Sequence, residues 1–147
     1  MAGYWQIVEP IWTVIEIGEG YEVFRQTFNS VPRGSALLFA AHFCQSEVCN
    51  GGFYQLFWNS TGVLAPEAEE GFREIGQRRI AMVVQSAIRL FGAEYPRQRQ
   101  SRQEYLAKIP KSDLNALDEN FYALISSENG GFEEAADRYA NQLGSSG

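Results

Sequence analysis

The sequence predicts an all-α fold, a single compact domain built from eight or nine short helices. Three observations carry this expectation. Apolar residues recur at spacings of three and four over almost the whole chain, sustained strand-type alternation is nearly absent, and Gly, Pro and Asn interrupt the periodic stretches.

Residues 4–17 place Tyr4, Val8, Ile11 and Ile15 on one stripe. Pro10 must kink or restart that helix, and Ile11, Thr13, Ile15 and Ile17 also fit an alternating strand. From Gly20 to about Asn29, Tyr21, Phe24 and Phe28 line a second stripe, with Pro32 just past its end. A third helix, about 35–49, sets Leu37, Ala41, Cys44 and Val48 on one face beside Phe39 and Phe43. Asn50-Gly51-Gly52 is expected to stop it, because Asn and Gly tolerate left-handed backbone. A short helix over 53–60 then ends at Thr61-Gly62. Pro66 suits the first turn of the next helix, where Glu67, Glu69 and Glu70 set negative charge against the positive end of the dipole. Ala68, Phe72 and Ile75 are its buried side, and Gly76 closes it.

Residues 77–91 form the clearest amphipathic helix, with Ile80, Val84, Ala87 and Phe91 in register, Val83 and Ile88 alongside, and Gly92 as the stop. After a polar, Arg-rich connector from Tyr95 to Gln100, Ser101-Arg102-Gln103-Glu104 has the spacing of a capping box and predicts a helix to about Lys108. Leu114, Leu117, Phe121 and Leu124 mark the next helix, and Phe132, Ala136, Tyr139 and Leu143 the last. Asn129-Gly130-Gly131 separates the two, and Gly144 to Gly147 is expected to fray. With no internal repeat and no long linker, one domain spans 1–147, with an ordered core at about 4–143.

Composition narrows the function classes. With 147 residues, 45% apolar and 14% aromatic, the chain can bury a core of its own. No run approaches the roughly eighteen apolar residues of a membrane span, and the first fifteen residues hold Glu9 but no Lys or Arg. Neither a membrane span nor a secretory signal is expected, and the cytoplasm is the expected compartment. The formal charge of −6 is unevenly spread. Residues 78–111 carry Arg78, Arg79, Arg89, Arg97, Arg99, Arg102, Lys108 and Lys111 against Glu94 and Glu104, a net of +6, while the rest of the chain nets −12. Such an acidic excess disfavours direct nucleic-acid binding and suits basic partners, or solubility alone.

The segment from His42 to Asn59 concentrates reactive residue types: the only histidine, both cysteines, Glu47, Asn50, Gln55 and Asn59, around the Gly51-Gly52 turn. Helical geometry argues against a metal site. His42 and Cys44 lie about 200° apart around the axis, and His42 and Cys49 share a face but stand about 10 Å apart along it, whereas zinc needs ligands within about 2.3 Å. Neither spacing brings thiol and imidazole into contact for a Cys–His nucleophile. Cys44 falls on the apolar stripe as an inert buried thiol, and five residues on, Cys49 lies roughly 8 to 9 Å away, beyond disulfide reach. Gln55 and Asn59 share a helix face just after the glycines, with Glu47 one turn before them. These groups either line a small polar pocket or tie the two helices together at their exposed backbone ends, and both readings stay open.

Two surface features bear on binding. Tyr95-Pro96-Arg97-Gln98-Arg99-Gln100-Ser101-Arg102 joins basic groups to an aromatic, but against the acidic background it reads as a solvated connector. Glu67, Glu69, Glu70 and Glu74, together with Glu133, Glu134 and Asp137, lie three and four apart and form a candidate anionic binding surface.

The run Glu47-Val48-Cys49-Asn50-Gly51-Gly52-Phe53-Tyr54-Gln55-Leu56-Phe57-Trp58-Asn59-Ser60-Thr61-Gly62 resembles the signature of the DNA-mimic-protein-like family of bacterial proteins. Leu64-Ala65-Pro66-Glu67-Ala68, Tyr95-Pro96-Arg97 and Leu117-Asp118 followed by Phe121-Tyr122 extend the resemblance to roughly residues 4–143, with a departure at Leu56, where a second aromatic is the family pattern. The resemblance implies an all-helical fold, no known catalytic activity and no cofactor. It also implies that one relative is a dimer whose acidic surface imitates the phosphates of duplex DNA and occupies a transcription regulator. The signature does not contain those carboxylates, so no functional residue is carried over. The expected function is therefore a non-enzymatic protein-binding domain, with a basic or DNA-binding protein as partner, DNA mimicry as one mode and a homodimer as one assembly. The rival expectation is a small enzyme or ligand-binding domain using a polar cleft at Glu47, Asn50, Gln55 and Asn59, with His42 beside it.

Overall fold

The computed structural model describes residues 3–145. Among them are eight α-helices and two short 3-10 turns, with no strand: α1 (Trp5–Trp12), α2 (Tyr21–Asn29), α3 (Arg33–Trp58), α4 (Ala65–Glu74), α5 (Arg78–Arg89), α6 (Arg99–Leu106), α7 (Lys111–Ile125) and α8 (Phe132–Ser145), with the turns at Ser60–Leu64 and Glu128–Gly130. The strand alternative for residues 11–17 is not adopted. Pro10 sits in the last turn of α1, the chain leaves the helix at Thr13, and Ile15 reaches the core from beyond the helix end.

The long α3 organises the domain. Residues 36–41 are buried on every side, the pattern of a helix enclosed by others rather than lying on a surface. It packs on α1, α2, α4, α6, α7 and α8, while α5 rests on α4 and α7. Phe39, Phe53 and Phe57 from α3, Phe72 from α4 and Phe121 from α7 are among the largest fully buried side chains, each stabilising the fold by roughly 1.5–3 kcal/mol. Edge-to-face contacts of Phe121 with Phe53 and Phe72 join three helices at the centre.

The helical path of α3 is broken where Asn50-Gly51-Gly52 is expected to stop it: Gly51 and Gly52 leave helical geometry, with Gly52 at φ 76° and ψ −179°, and a second helical segment runs on to Trp58, close to the short helix expected over 53–60. The start of α6 differs from expectation. The capping box at Ser101–Glu104 is not formed. Helix α6 starts earlier, at Arg99, no side chain caps it, and Ser101 and Arg102 lie inside its first turns. The reason is tertiary, because the Arg102 side chain is drawn into the core. At the C-terminus, α8 runs through Ser145, and Ser146 and Gly147 of the stretch expected to fray lie outside the described residues. No helix of the described residues is long and apolar enough to cross a membrane.

Candidate functional site

The polar residues flanking the Gly51-Gly52 bend come together around one carboxylate. Glu47, in the first half of α3, accepts from Gln55 Nε2 at 2.6 Å, from Thr61 Oγ1 at 2.7 Å and from Asn59 Nδ2 at 3.3 Å. Gln55 and Asn59 face the same way because they are one turn apart, and the bend swings both toward Glu47. Of the two readings the sequence left open, the tie runs through the Glu47 side chain rather than through backbone helix ends and couples both halves of α3 to the following turn, while the same residues also border a groove. Asn50 is exposed and joins Phe43, Ser46, Glu47, Gln55 and Asn59 around a groove of about 390 Å³.

Helix α7 clasps the other side of the bend. The Phe53 N–H, left without an intrahelical acceptor by the bend, donates to Asp118 Oδ1 at 2.8 Å, and Tyr122 Oη, one turn further along α7, donates to the Val48 carbonyl at 2.9 Å. Burial raises the Asp118 carboxyl above its usual value, opposed by the Phe53 N–H. A Cβ at Gly52 would stand 2.6 Å from Asp118 Oδ2, so both the positive φ and the close approach require glycine.

The C-terminal end of α3 is held by the basic connector, whose Gln98, Arg99, Gln100 and Ser101 are exposed as its composition suggested while Arg102 is drawn into the core. Arg102 is fully buried and donates from Nε to the Phe57 carbonyl at 2.7 Å, from Nη2 to Asn59 at 2.8 Å, and from Nη1 to Arg97 and Pro96 at 3.0 and 3.3 Å. The Trp58 carbonyl between them takes Arg99 Nε at 2.9 Å and Gln103 Nε2 at 3.0 Å. Three successive carbonyls at the negative end of a helix thus receive donors from α6, and the Arg102 charge is met by backbone dipoles, with no ion pair among the described residues. Burial lowers the Arg102 guanidinium below its usual value, yet arginine stays charged. Tyr95 Oη donates to the Gly62 carbonyl at 2.6 Å, and Arg97 donates to the Val63 carbonyl and, bidentate, to Glu67 at 3.0 and 3.1 Å while stacking over the Tyr21 ring.

His42 is half-buried among Tyr4, Trp5 and Phe43, with its Nδ1 2.8 Å from the Tyr4 hydroxyl. Burial depresses its pKa below 6.5, and burial with the charges of Glu133 and Asp137 pushes the Tyr4 phenol up to about 12. His42 does not join the Glu47 cluster. Both cysteines are free; Cys44 is buried, which raises its thiol far above the usual range, and Cys49 is exposed. The described residues hold no group of three His, Cys, Asp or Glu side chains suited to a metal ion.

The candidate acidic surface divides into spent and open carboxylates. Glu67 pairs with Arg97, both only about a fifth exposed (21% and 22%), Glu69 with Arg73, Glu70 with Arg33 and Glu134 with Arg138. Asp137 accepts the Tyr4 backbone N–H at 2.7 Å. Glu74 and Glu133 are exposed and form no ion pair among the described residues. One carboxylate escaped the sequence reading: Glu128 caps α5 from the turn before α8, accepting Arg79 N at 2.7 Å and Ile80 N at 2.9 Å. A cap supplied 48 residues away leaves no local spacing to find.

A family model described as DMP19-like protein matches residues 29–143, from the end of α2 into α8, and so includes the Glu47 cluster, the α7 clasp and the Arg102 anchor. No curated protein and no solved structure matches the chain.

Proposed function

Because the chain belongs to the DMP19-like protein family, we propose that it is a non-enzymatic protein-binding domain whose partner is a basic, DNA-binding protein, engaged by an acidic face in the manner of a DNA mimic. The observation that carries the non-enzymatic part is the state of Glu47. Its carboxylate, the one acid in the richest polar constellation, is filled by Gln55, Asn59 and Thr61, so the group best placed to act as a base serves as a strut. The residues behind the family resemblance are occupied in the same way: Asp118 and Tyr122 at the bend, Tyr95 and Arg97 at the turn after α3.

The acidic face is assigned to the flank where α4 meets α8. Glu70 and Glu74 of α4 are exposed and both act on Tyr139 of α8, and Glu134 of α8 adds a further exposed carboxylate to the acidic surface. Pairing with Arg33, Arg73 and Arg138 reduces its field, and this favours a modest, salt-screened attraction over a continuous phosphate-like array. The same reading includes a cytoplasmic location and a homodimer, for which the exposed, stacked Tyr54 and Trp58 rings are the natural contact.

Affinity capture from the native host's lysate, at low and high ionic strength and with duplex DNA as competitor, tests the proposal. The expected result is a basic protein released by salt and by DNA, and no longer retained by a Glu70→Gln/Glu74→Gln/Glu134→Gln variant. Retention unchanged in that variant would remove this flank from the interface. The groove beside Glu47 is the observation that favours the ligand-binding rival, and a small molecule that saturates there and is lost in Asn50→Ala would establish that reading instead.

A further inference from the structure

We propose that the cleft between α1 and α8 receives a single cationic side chain, an arginine of the basic partner; this inference rests on the protein-binding reading and gives it an anchor point. The cleft has a volume of about 460 Å³ and is lined by Gly3, Tyr4, Trp5, His42, Glu133 and Asp137. That is near the lower end of the roughly 300–1,000 Å³ range of ligand pockets. Its walls are of two kinds. The rings of Tyr4 and Trp5 stand 5.5 and 4.9 Å from the His42 ring, giving an aromatic side, and α8 contributes Glu133 and Asp137, one turn apart and on one face. Neither carboxylate is ion-paired among the described residues, unlike Glu134 between them, which is held by Arg138. The basic side chains of α8 and α4 are thus engaged elsewhere.

This pairing of an aromatic wall with the exposed Glu133 carboxylate and with Asp137, which holds the Tyr4 N–H through Oδ1 and keeps Oδ2 for another donor, selects for a guanidinium. A flat, weakly hydrated cation stacks on aromatic faces while its edge N–H groups meet carboxylates, and desolvation between rings strengthens both contacts. A neutral or anionic group gains neither. The two acids already act on the cleft, since both raise the Tyr4 phenol. Two of the lining rings, Tyr4 and Trp5, lie before the 29–143 stretch that matches the family model.

The test titrates the intact protein with a blocked tripeptide, acetyl-Gly-Arg-Gly-amide, and with its citrulline counterpart, followed by two-dimensional NMR. The arginine peptide is expected to saturate and to shift Tyr4, Trp5, His42, Glu133 and Asp137, the citrulline peptide is expected to leave them in place, and Glu133→Gln is expected to weaken binding about tenfold. Equal responses to the two peptides, no response to either, or shifts spread over Glu70 and Glu74 and unchanged in Glu133→Gln would overturn the cleft. Partner capture separates the two proposals. If Glu133→Gln loses the arginine peptide but captures the partner as well as the wild type does, the cleft is not the anchor although the protein-binding reading stands. If no partner is captured while the arginine peptide saturates, the cleft is a cation site and the protein-binding reading falls.

Discussion

Asp118 of α7 accepts the Phe53 backbone N–H at 2.8 Å, across 65 residues of sequence, and so supplies from outside the cap that the second half of α3 lacks locally. An acceptor at a helix start is worth about 0.5–2 kcal/mol. Asp118→Ala is therefore expected to lower unfolding free energy by about that amount, with Asp118→Asn retaining most of it because an amide oxygen still accepts. Urea unfolding of the two variants checks this, and equal losses would show that the packing of α7, rather than the hydrogen bond, is what matters.

The neighbouring Gly52 gives a harsher test of the same bend. An alanine there meets both the backbone strain of φ 76° and the Asp118 carboxylate, 2.6 Å from the new Cβ. The backbone contribution alone is about 1–3 kcal/mol, and the clash adds to it. Gly52→Ala/Asp118→Ala should then be less destabilised than the sum of its single variants, a coupling that a double-mutant cycle measures directly. Strict additivity would mean that the two residues do not meet at the bend.

Among the described residues Arg102 is the largest fully buried side chain and makes no ion pair, so its guanidinium fork is expected to be irreplaceable. Arg102→Lys keeps the charge but cannot reach the Phe57 and Asn59 carbonyls together with the Arg97 carbonyl; Arg102→Met keeps the bulk but leaves all of them bare. Each buried polar group left unsatisfied costs about 1–3 kcal/mol, so both variants should lose several kcal/mol or fail to fold, with amide exchange rising first at the end of α3. A mild effect of Arg102→Met would show that the carbonyls find other donors.

The helices were legible in the sequence because each carries its own periodic stripe: Ile80, Val84 and Ala87 are buried on α5, as their spacing predicts, and Phe24 and Phe28 on α2. The Glu47, Gln55 and Asn59 grouping was legible for the same reason, since it depends on helical register around a glycine bend. What could not be read was every interaction spanning the fold. Arg102 looked like a surface residue inside a capping box, and Glu128 and Asp118 carried no local signature, because their partners lie 45 to 65 residues away. Charge counting failed similarly on Glu67, whose counter-ion Arg97 comes from the basic segment that composition had set apart from it.

That division of the carboxylates predicts opposite phenotypes. Glu67→Gln breaks a partly buried bidentate pair and should lower stability by about 1 kcal/mol while leaving salt-sensitive partner binding intact. Glu74→Gln, at an exposed site without an ion pair among the described residues, should leave thermal unfolding unchanged and weaken partner binding. The comparison needs only melting curves and capture at one ionic strength. A binding defect confined to Glu67→Gln would reverse the assignment of structural and surface acids.

His42 provides the pH test, and as the only histidine its resonances are unambiguous. Burial beside Tyr4 and Trp5 disfavours the imidazolium, so the folded-state pKa lies below the unfolded value of 6.5. Between those two values the unfolded chain binds more protons than the native one, and stability therefore rises with pH across the window. The contribution of neutral His42 is fully present above pH 6.5 and is lost as pH falls through the folded pKa. Ring-proton titration should place the midpoint below 6.5, and urea unfolding across the same window should show a smaller pH slope for His42→Phe than for the wild type. A midpoint at or above 6.5 would mean that Glu133 and Asp137, across the cleft, outweigh burial at this ring.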